Sequence, residues 1–235
     1  MKVSIIIPVY NEEATIASII DKVLAVQLPD GVVREIIVVN DGSDDATAQI
    51  LTRYHGHKDI AVVHQQNGGK TAALLAGIKN AQGDIFLIQD ADLEYDPVFY
   101  PQLLEPILKD KALVVYGSRF LGSIKDMEPV NRLANLISNW TLNFLFKVKM
   151  TDINTCYKVF TKKVFEGVVI EGSHFDMDAE MTVKFLMKGI SIYEVPIAYV
   201  ARSRHAGKKI KFSTALRLYW LIIKYGLRNR KCNIK

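Results

Sequence analysis

Five short runs of β-branched and aliphatic residues recur through the first 117 positions, and stretches with helical spacing separate them. The runs are Val3 to Val9, Val33 to Asn40, Ile60 to His64, Asp84 to Gln89 and Leu113 to Tyr116. They are too short for helices and too uniformly apolar to face water on one side, so they read as strands covered on both faces. Helices are expected near Glu13 to Val26, Asp45 to Tyr54, Lys70 to Asn80 and Val98 to Lys109. This alternation is the βαβ rhythm of a mostly parallel central sheet flanked by helices, an α/β architecture. No linker-like segment or repeat interrupts it, and 235 residues suit one domain with a substantial core.

Each early run ends in polar residues, and that is where chemistry is expected. In open α/β sheets the crevice beyond the carboxyl ends of the strands holds ligands. Gly83 to Glu94 carries the strongest signal there: its apolar core breaks off into Asp90-Ala91-Asp92-Leu93-Glu94. Two carboxylates at i and i+2 on a strand exit can point the same way and then repel unless a cation lies between them. Mg²⁺ or Mn²⁺, held by one or two carboxylates and completed by water and substrate phosphates, satisfies that arrangement. Alone, an Asp-x-Asp is also an ordinary polar loop. Asp41 adds a third acid along the same edge, and Ser43 or Asp44 is the expected N-cap of the next helix. The stretch Asn67-Gly68-Gly69-Lys70-Thr71 lacks Walker A spacing. Its glycines either let the backbone approach a phosphate, with Lys70 at the helix start, or form a plain strand-to-helix turn.

The function classes narrow with composition. An apolar run near the start is too short for a signal peptide, and no run reaches the roughly 18 apolar residues of a membrane span. Two cysteines make no metal or disulfide framework and suit a reducing cytoplasm. The net charge of +5 is unevenly placed: from Arg202 onward there are 11 Lys and Arg and no Asp or Glu. Such a block suggests an anionic partner, a membrane surface or a nucleic acid. A dinucleotide-binding oxidoreductase is disfavoured because the first strand is not followed by Gly-x-Gly-x-x-Gly.

Pro8-Val9-Tyr10-Asn11-Glu12, Asn40-Asp41-Gly42-Ser43, Asn67-Gly68-Gly69-Lys70, Asp90-Ala91-Asp92-Leu93-Glu94 and Gly117-Ser118-Arg119 follow one another in this order. As an ordered set they resemble the family 2 glycosyltransferases of GT-A fold, and most closely the dolichol-phosphate mannose synthases and their polyprenyl-phosphate relatives. The resemblance runs through essentially the whole chain. It implies one GT-A domain over 1–235, with a nucleotide-sugar half at 1–117, an acceptor half at 118–212 and an interfacial helix at 213–230. It further implies that Pro8, Tyr10, Glu12, Val39 and Asp41 line a nucleotide pocket and that Asp90, Ala91, Asp92 and Glu94 surround a metal and a diphosphate. Glu94 stands where the family often has Gln, and Asn40 replaces one Asp of the usual Asp-Asp-Gly-Ser.

In the second half, Arg119 can offer a bidentate fork to phosphate oxygens or pair with an acid. With Asp92 it is the candidate catalytic pair. Phe120 to Pro129 is expected to be a lid-like loop of mixed charge. Asn131 to Val148 reads as a helix whose Leu133, Leu136, Ile137, Trp140, Phe144 and Leu145 form a stripe of the kind that usually faces the core. By resemblance, Arg132 and Ser138 on this helix contact an acceptor phosphate, Asp152 to Lys158 is a turn near the acceptor, and Arg202 to Lys209 folds over the diphosphate. His174 reads as structural. Asp176 and Asp178 read as caps of the helix they open, and Glu180 as an acid other than the base. A strand is expected from Ser191 to Pro196. Ser213 to Arg228 reads as a helix with Arg217, Lys224 and Arg228 on one side, suited either to a membrane interface or to packing against the sheet.

The resulting expectation is metal-dependent, inverting transfer of a hexose from a GDP- or UDP-sugar to a polyprenyl phosphate. The site of action would be the cytoplasmic membrane face, with peripheral association and no nucleic acid. The alternative is a family 2 transferase acting on a sugar or lipid hydroxyl. That neutral acceptor would require a base, and Asp152, Asp176 or Glu180 would then be essential.

Overall fold

The computed structural model describes residues 1–172, 176–202 and 212–232, the last stretch with side chains for 217–228. His174 and Lys209, both singled out above, lie outside the described residues, as do the other residues of 203–211. One seven-stranded sheet organises the chain. Its strands are β1 (Lys2–Val9), β2 (Val33–Asn40), β3 (Ile60–His64), β4 (Ile85–Ile88), β5 (Val114–Lys125), β6 (Lys158–Thr161) and β7 (Tyr193–Val200), in the order β3-β2-β1-β4-β6-β5-β7. All neighbours are parallel except β6, which runs antiparallel to both β4 and β5. The helices are α1 (Ile16–Ala25), α2 (Thr47–Leu51), α3 (Lys70–Asn80), α4 (Tyr100–Leu108), α5 (Pro129–Phe146), α6 (Lys162–Phe165), α7 (Met177–Met187) and α8 (Phe212–Cys232).

The central strands are as apolar as their position demands. Ile5, Ile6, Ile7, Ile36, Val38 and Val39 on β1 and β2, and Ile85, Leu87 and Ile88 on β4, are fully buried. Gly77 brings α3 against this sheet, because a Cβ there would collide with the side chain of Ile6. At the opposite sheet end, the Glu35 carboxylate accepts the backbone N–H groups of Gln82 and Gly83 (2.6 and 2.9 Å) and the Ser4 hydroxyl, and pairs with Lys2 at 2.6 Å. One acid thereby ties β1, β2 and the entry to β4 together.

The first-half elements match the sequence expectation closely, β2, β3 and α3 to the residue. Three differences lie beyond. β5 continues through the expected lid as far as Lys125, pairing with β7 on both sides of an irregularity between Ser118 and Ser123. The turn expected to end at Lys158 gives way there to β6, whose Val159 and Phe160 fill the seam between β4 and β5. The apolar stripe of α5 is not core: Leu133, Leu136, Ile137, Trp140 and Phe144 are all exposed, and only Leu145 of the set is buried. α5 instead turns its polar residues inward, where Asn139 donates to the Thr151 carbonyl and accepts from Ile153 N–H, and Asn143 holds Met150.

Candidate active site

The strand exits meet as expected. β1, β2 and β4 deliver Pro8, Tyr10, Glu12, Asp41, Asp90, Ala91, Asp92 and Glu94 to the wall of one cavity of about 460 Å³, joined by Lys70, Arg119 and Arg202. That volume is within the usual range for a small-molecule site.

The Asp90 to Glu94 turn is shaped by its own side chains. Gln89 is fully buried. Its amide donates to the Tyr95 carbonyl at 3.1 Å, and its oxygen accepts from Tyr100 and Tyr157 at 2.7 and 2.9 Å. Leu93 adopts a left-handed φ of 64°, which a branched side chain rarely does, and Asp92 Oδ1 accepts the Glu94 N–H at 3.2 Å. The reversal turns three acids toward one space. Both oxygens of Glu94 have partners, the Tyr199 hydroxyl and the Arg202 N–H, each at 2.7 Å. Asp90 Oδ1 pairs with Lys70 Nζ at 2.7 Å. Asp92 is the acid least compensated. Burial, then the charges of Asp90 and Glu94, push its pKa up to about 7, against a weaker pull from Arg202 at 4.0 Å.

This donor set fits a hard divalent cation: crowded carboxylate oxygens, among them Asp92, whose pKa is raised by burial and by its acidic neighbours. Among the described residues no three His, Cys, Asp or Glu side chains form a preassembled cage. The fit is thus to a Mg²⁺- or Mn²⁺-type site that takes one or two protein carboxylates and completes its shell from water and ligand.

Other expected residues have different partners. The Asp41 carboxylate accepts the backbone N–H groups of Gly68 and Gly69 (2.9 and 2.8 Å) and the Gln65 amide at 2.7 Å. It therefore builds the glycine loop and occupies the very donors that a phosphate would have used. Gly42, at φ +71°, allows this approach, since a Cβ there would sit 2.7 Å from Asn67 N. The Ser43 hydroxyl accepts from Asn11 N–H (3.0 Å) instead of capping α2. Asp45 takes that local role by accepting Thr47 N–H at 2.9 Å. Val39 does not line the cavity; it is packed under α3. Arg132 is exposed and Ser138 bonds the Ala134 carbonyl in its own helix, so neither reaches the cavity.

Arg119 is buried in a bidentate pair with Asp152, Nε to Oδ2 at 2.7 Å and Nη2 to Oδ1 at 2.8 Å, with its guanidinium 5.0 Å from the Tyr199 ring centre. Arg202 forms a two-pronged contact with Glu12 (2.9 and 3.2 Å) that joins the end of β7 to the exit of β1 across the cavity. Asp176 stands at the N-cap position of α7 and its carbonyl accepts the Glu180 N–H at 2.9 Å, but its side chain makes no capping bond. Asp176 pairs with Arg217 of α8 at 2.6 Å, and Asp178 reaches Lys158 at 3.2 Å and Lys70 at 3.8 Å. Glu180 accepts from Glu171 and Gly172 N–H and from Tyr225, and pairs with Lys184 at 2.8 Å. Burial opposes these bonds, yet together they hold its pKa below the usual carboxylate range.

Asp178, Tyr95, Asn154, Cys156 and Tyr199 also line the cavity and were not picked out as site residues. The signal for Asp178 was available, since one acid suffices to cap a helix and two stand at Asp176-Met177-Asp178. Tyr199 continues the alternation of Val195 and Ile197 on β7, so its inward face could have been read.

Residues 4–169 match the family model described as glycosyl transferase family 2. The chain is 30% identical over 216 residues to dolichol-phosphate mannosyltransferase of Pyrococcus furiosus, which covers 88% of this chain and 59% of that protein. It is 27% identical over 175 residues to dodecaprenyl-phosphate galacturonate synthase of Rhizobium johnstonii, covering 73% of this chain and 51% of that one. The chain thus spans only about half to three fifths of these relatives' length. Among solved structures, glucosyl-3-phosphoglycerate synthase from Mycobacterium tuberculosis in complex with Mn²⁺, UDP and phosphoglyceric acid superposes with a TM-score of 0.73 at 21% identity. The match covers 97% of this chain and 78% of that one, and it establishes a shared fold.

Proposed function

The chain belongs to glycosyl transferase family 2, and on that premise we propose that it moves a hexose from a GDP- or UDP-sugar to a polyprenyl phosphate. The acceptor class follows the relatives, whose names specify dolichol phosphate and dodecaprenyl phosphate. One observation carries the choice over a hydroxyl acceptor: the three carboxylates expected to act as its base, Asp152, Asp176 and Glu180, are already engaged and none lines the cavity. Asp152 is locked to Arg119, Asp176 to Arg217, and Glu180 to two backbone N–H groups, Lys184 and Tyr225. A polyprenyl phosphate is already anionic at neutral pH and requires no strong base, so positioning and electrostatics suffice.

In this reading Asp92 and Asp90, with Glu94 beside them, would hold Mg²⁺ or Mn²⁺; the structural neighbour was solved with Mn²⁺. The bound ion would neutralise charge developing on the departing nucleoside diphosphate. Pro8, Tyr10, Glu12 and the loop built by Asp41 form the nucleotide side of the cavity. Lys70 and Arg202 bring cations to the diphosphate, and Arg119 fixes Asp152 and the wall facing the acceptor. In-line attack inverts the anomeric carbon and gives a β-linked product from an α-linked donor.

The exposed face of α5 supports peripheral association with the inner membrane face. Trp140 and Phe144 stack at 5.7 Å and are 67% and 59% exposed, beside exposed Leu133, Leu136 and Ile137. Exposed Arg132, Lys147 and Lys149 flank them, and α8, packed on α5, adds exposed Trp220, Lys224 and Arg228. Aromatic and aliphatic residues fringed by cations suit an anionic lipid surface. No helix among the described residues is long and apolar enough to cross a membrane. The same reading keeps one domain with a nucleotide-sugar half (1–117), an acceptor half (118–212) and an interfacial helix (213–230).

The test is to incubate the purified protein with Mn²⁺, a panel of GDP- and UDP-sugars and a polyprenyl phosphate, and to weigh the lipid by mass spectrometry. A single added hexose, lost with Asp92→Asn, is the expected result. Transfer only to hydroxyl acceptors, abolished by Asp152→Asn or Glu180→Gln with donor binding intact, would overturn the phosphate-acceptor reading.

A further inference from the structure

A ladder of alternating charge runs from the interior of the molecule to the acidic turn. At its inner end Lys158 is fully buried, accepted by the carbonyls of Ile153 (3.2 Å) and Thr155 and seated 4.8 Å from the Tyr116 ring centre. A cation with this many fixed partners does not move. Asp178 faces it at 3.2 Å through Oδ1, in an ion pair that lacks hydrogen-bond alignment, and turns Oδ2 toward Lys70 at 3.8 Å. Lys70 Nζ stands between two carboxylates, closer to Asp90 at 2.7 Å. The two acids are not equivalent. Asp178 has a permanent cation of its own in Lys158, whereas Asp90 has Lys70 and the neighbouring negative charge of Asp92 and Glu94. Burial works against ionisation of Asp178, but Lys158 and then Lys70 hold its pKa below the ordinary carboxylate value, so it stays anionic.

We infer that Lys70 is an exchangeable counter-ion: it covers Asp90 in the empty site and shifts to Asp178 when a divalent cation takes Asp90, with Asp178 and Lys158 acting as positioning residues. The inference rests on the metal-dependent reading above. The shift is small, since closing 3.8 Å to charge-assisted contact at about 2.8 Å is within reach of a four-carbon stem. It also solves a problem of charge. A cavity with clustered carboxylates would otherwise sit uncompensated between turnovers, and one tethered ammonium serves both states without leaving the low-dielectric interior.

The exchange predicts effects of opposite sign that a purely structural role would not produce. Mn²⁺ alone is the probe, titrated into the full chain and followed by the electron paramagnetic resonance signal of free Mn²⁺. Lys70→Met removes the competitor for Asp90 and should tighten Mn²⁺ binding on the order of tenfold, while weakening binding of a nucleoside diphosphate in the presence of Mn²⁺. Asp178→Asn leaves Lys70 without its second seat and should weaken Mn²⁺ binding by a similar factor, with Asp178→Glu restoring most of it. In the Lys70→Met background Asp178→Asn should have a much smaller effect, a non-additivity that marks the pair as coupled. Circular dichroism and the thermal midpoint establish which variants are folded, and Lys70→Met, at a partly exposed position, supplies the sign test if Asp178→Asn is not. Unchanged or weaker Mn²⁺ binding by Lys70→Met would overturn the exchange while leaving metal-dependent transfer intact. Failure of every variant and of the wild type to bind Mn²⁺, with or without nucleoside diphosphate, would overturn both.

Discussion

Asp152 shows how much one side chain can be asked to do. It accepts the Arg119 backbone N–H at 3.0 Å as well as both prongs of the guanidinium, and it is wholly buried. Replacing one partner of a buried ion pair leaves the other charged and unpaired. Asp152→Asn is therefore expected to lower the unfolding free energy by about 3–5 kcal/mol, read from urea midpoints at constant slope. Glu35 gives a prediction with a pH axis. Burial raises its pKa, but bonds from Lys2, Ser4 and Gln82 outweigh that and hold it below the usual value. A depressed folded-state pKa contributes stability that is complete above the unfolded value and is lost as pH falls through the folded one. The stability gap between wild type and Glu35→Gln should thus be full at pH 7 and shrink below about pH 4, as urea midpoints at both pH values would report. At this scale the acids were legible and their partners were not. A run such as Asp90-Ala91-Asp92-Leu93-Glu94 announces clustered charge, but nothing local says that Lys70, 20 positions earlier, answers one of those carboxylates. Asp41, likewise, was recognisable as a strand-exit acid, whereas its grip on Gly68 and Gly69 depends on the meeting of two loops.

Among the elements, α5 departs furthest from its expected setting. Periodicity correctly groups Leu133, Leu136, Ile137, Trp140 and Phe144 on one side of a helix; it is silent on what that side meets. The inward side is fixed instead by Asn139 and Asn143, whose amides satisfy the backbone of residues 150–153, and by Asn135, which accepts from Asn154 at 2.9 Å. Because Asn154 lines the cavity, α5 has one face against the site wall and the other against solvent. Replacing Trp140 and Phe144 together by Ser should leave the thermal midpoint within a few degrees, since neither is core. The same change should cut co-sedimentation with vesicles containing anionic lipid by several-fold. Equal binding by both proteins would remove α5 from the membrane contact. The strands, in contrast, were readable because a strand covered on both faces needs a continuous apolar run, as β4 and Ile36 to Val39 of β2 have, while β3, half-buried at the sheet edge, was legible from its β-branched residues. β6 was missed because four residues with one charged end, Lys158–Thr161, carry no periodic signal; its place is set by the gap between β4 and β5.

At the scale of the whole molecule, the fold class and the sheet edge at which the cavity opens followed from the order of the elements, while the inward wall of the cavity came from residues far along the chain. β6 makes that dependence concrete. Among the described residues it is the only strand that runs against its neighbours, and β4, which leads into the acidic turn, has β1 on one side and β6 on the other. During synthesis, therefore, β4 keeps one edge bare over the 69 residues that separate it from Lys158 to Thr161. A nascent chain halted before residue 158 would display a wholly apolar strand with one unpaired edge, of the kind that invites association with other chains.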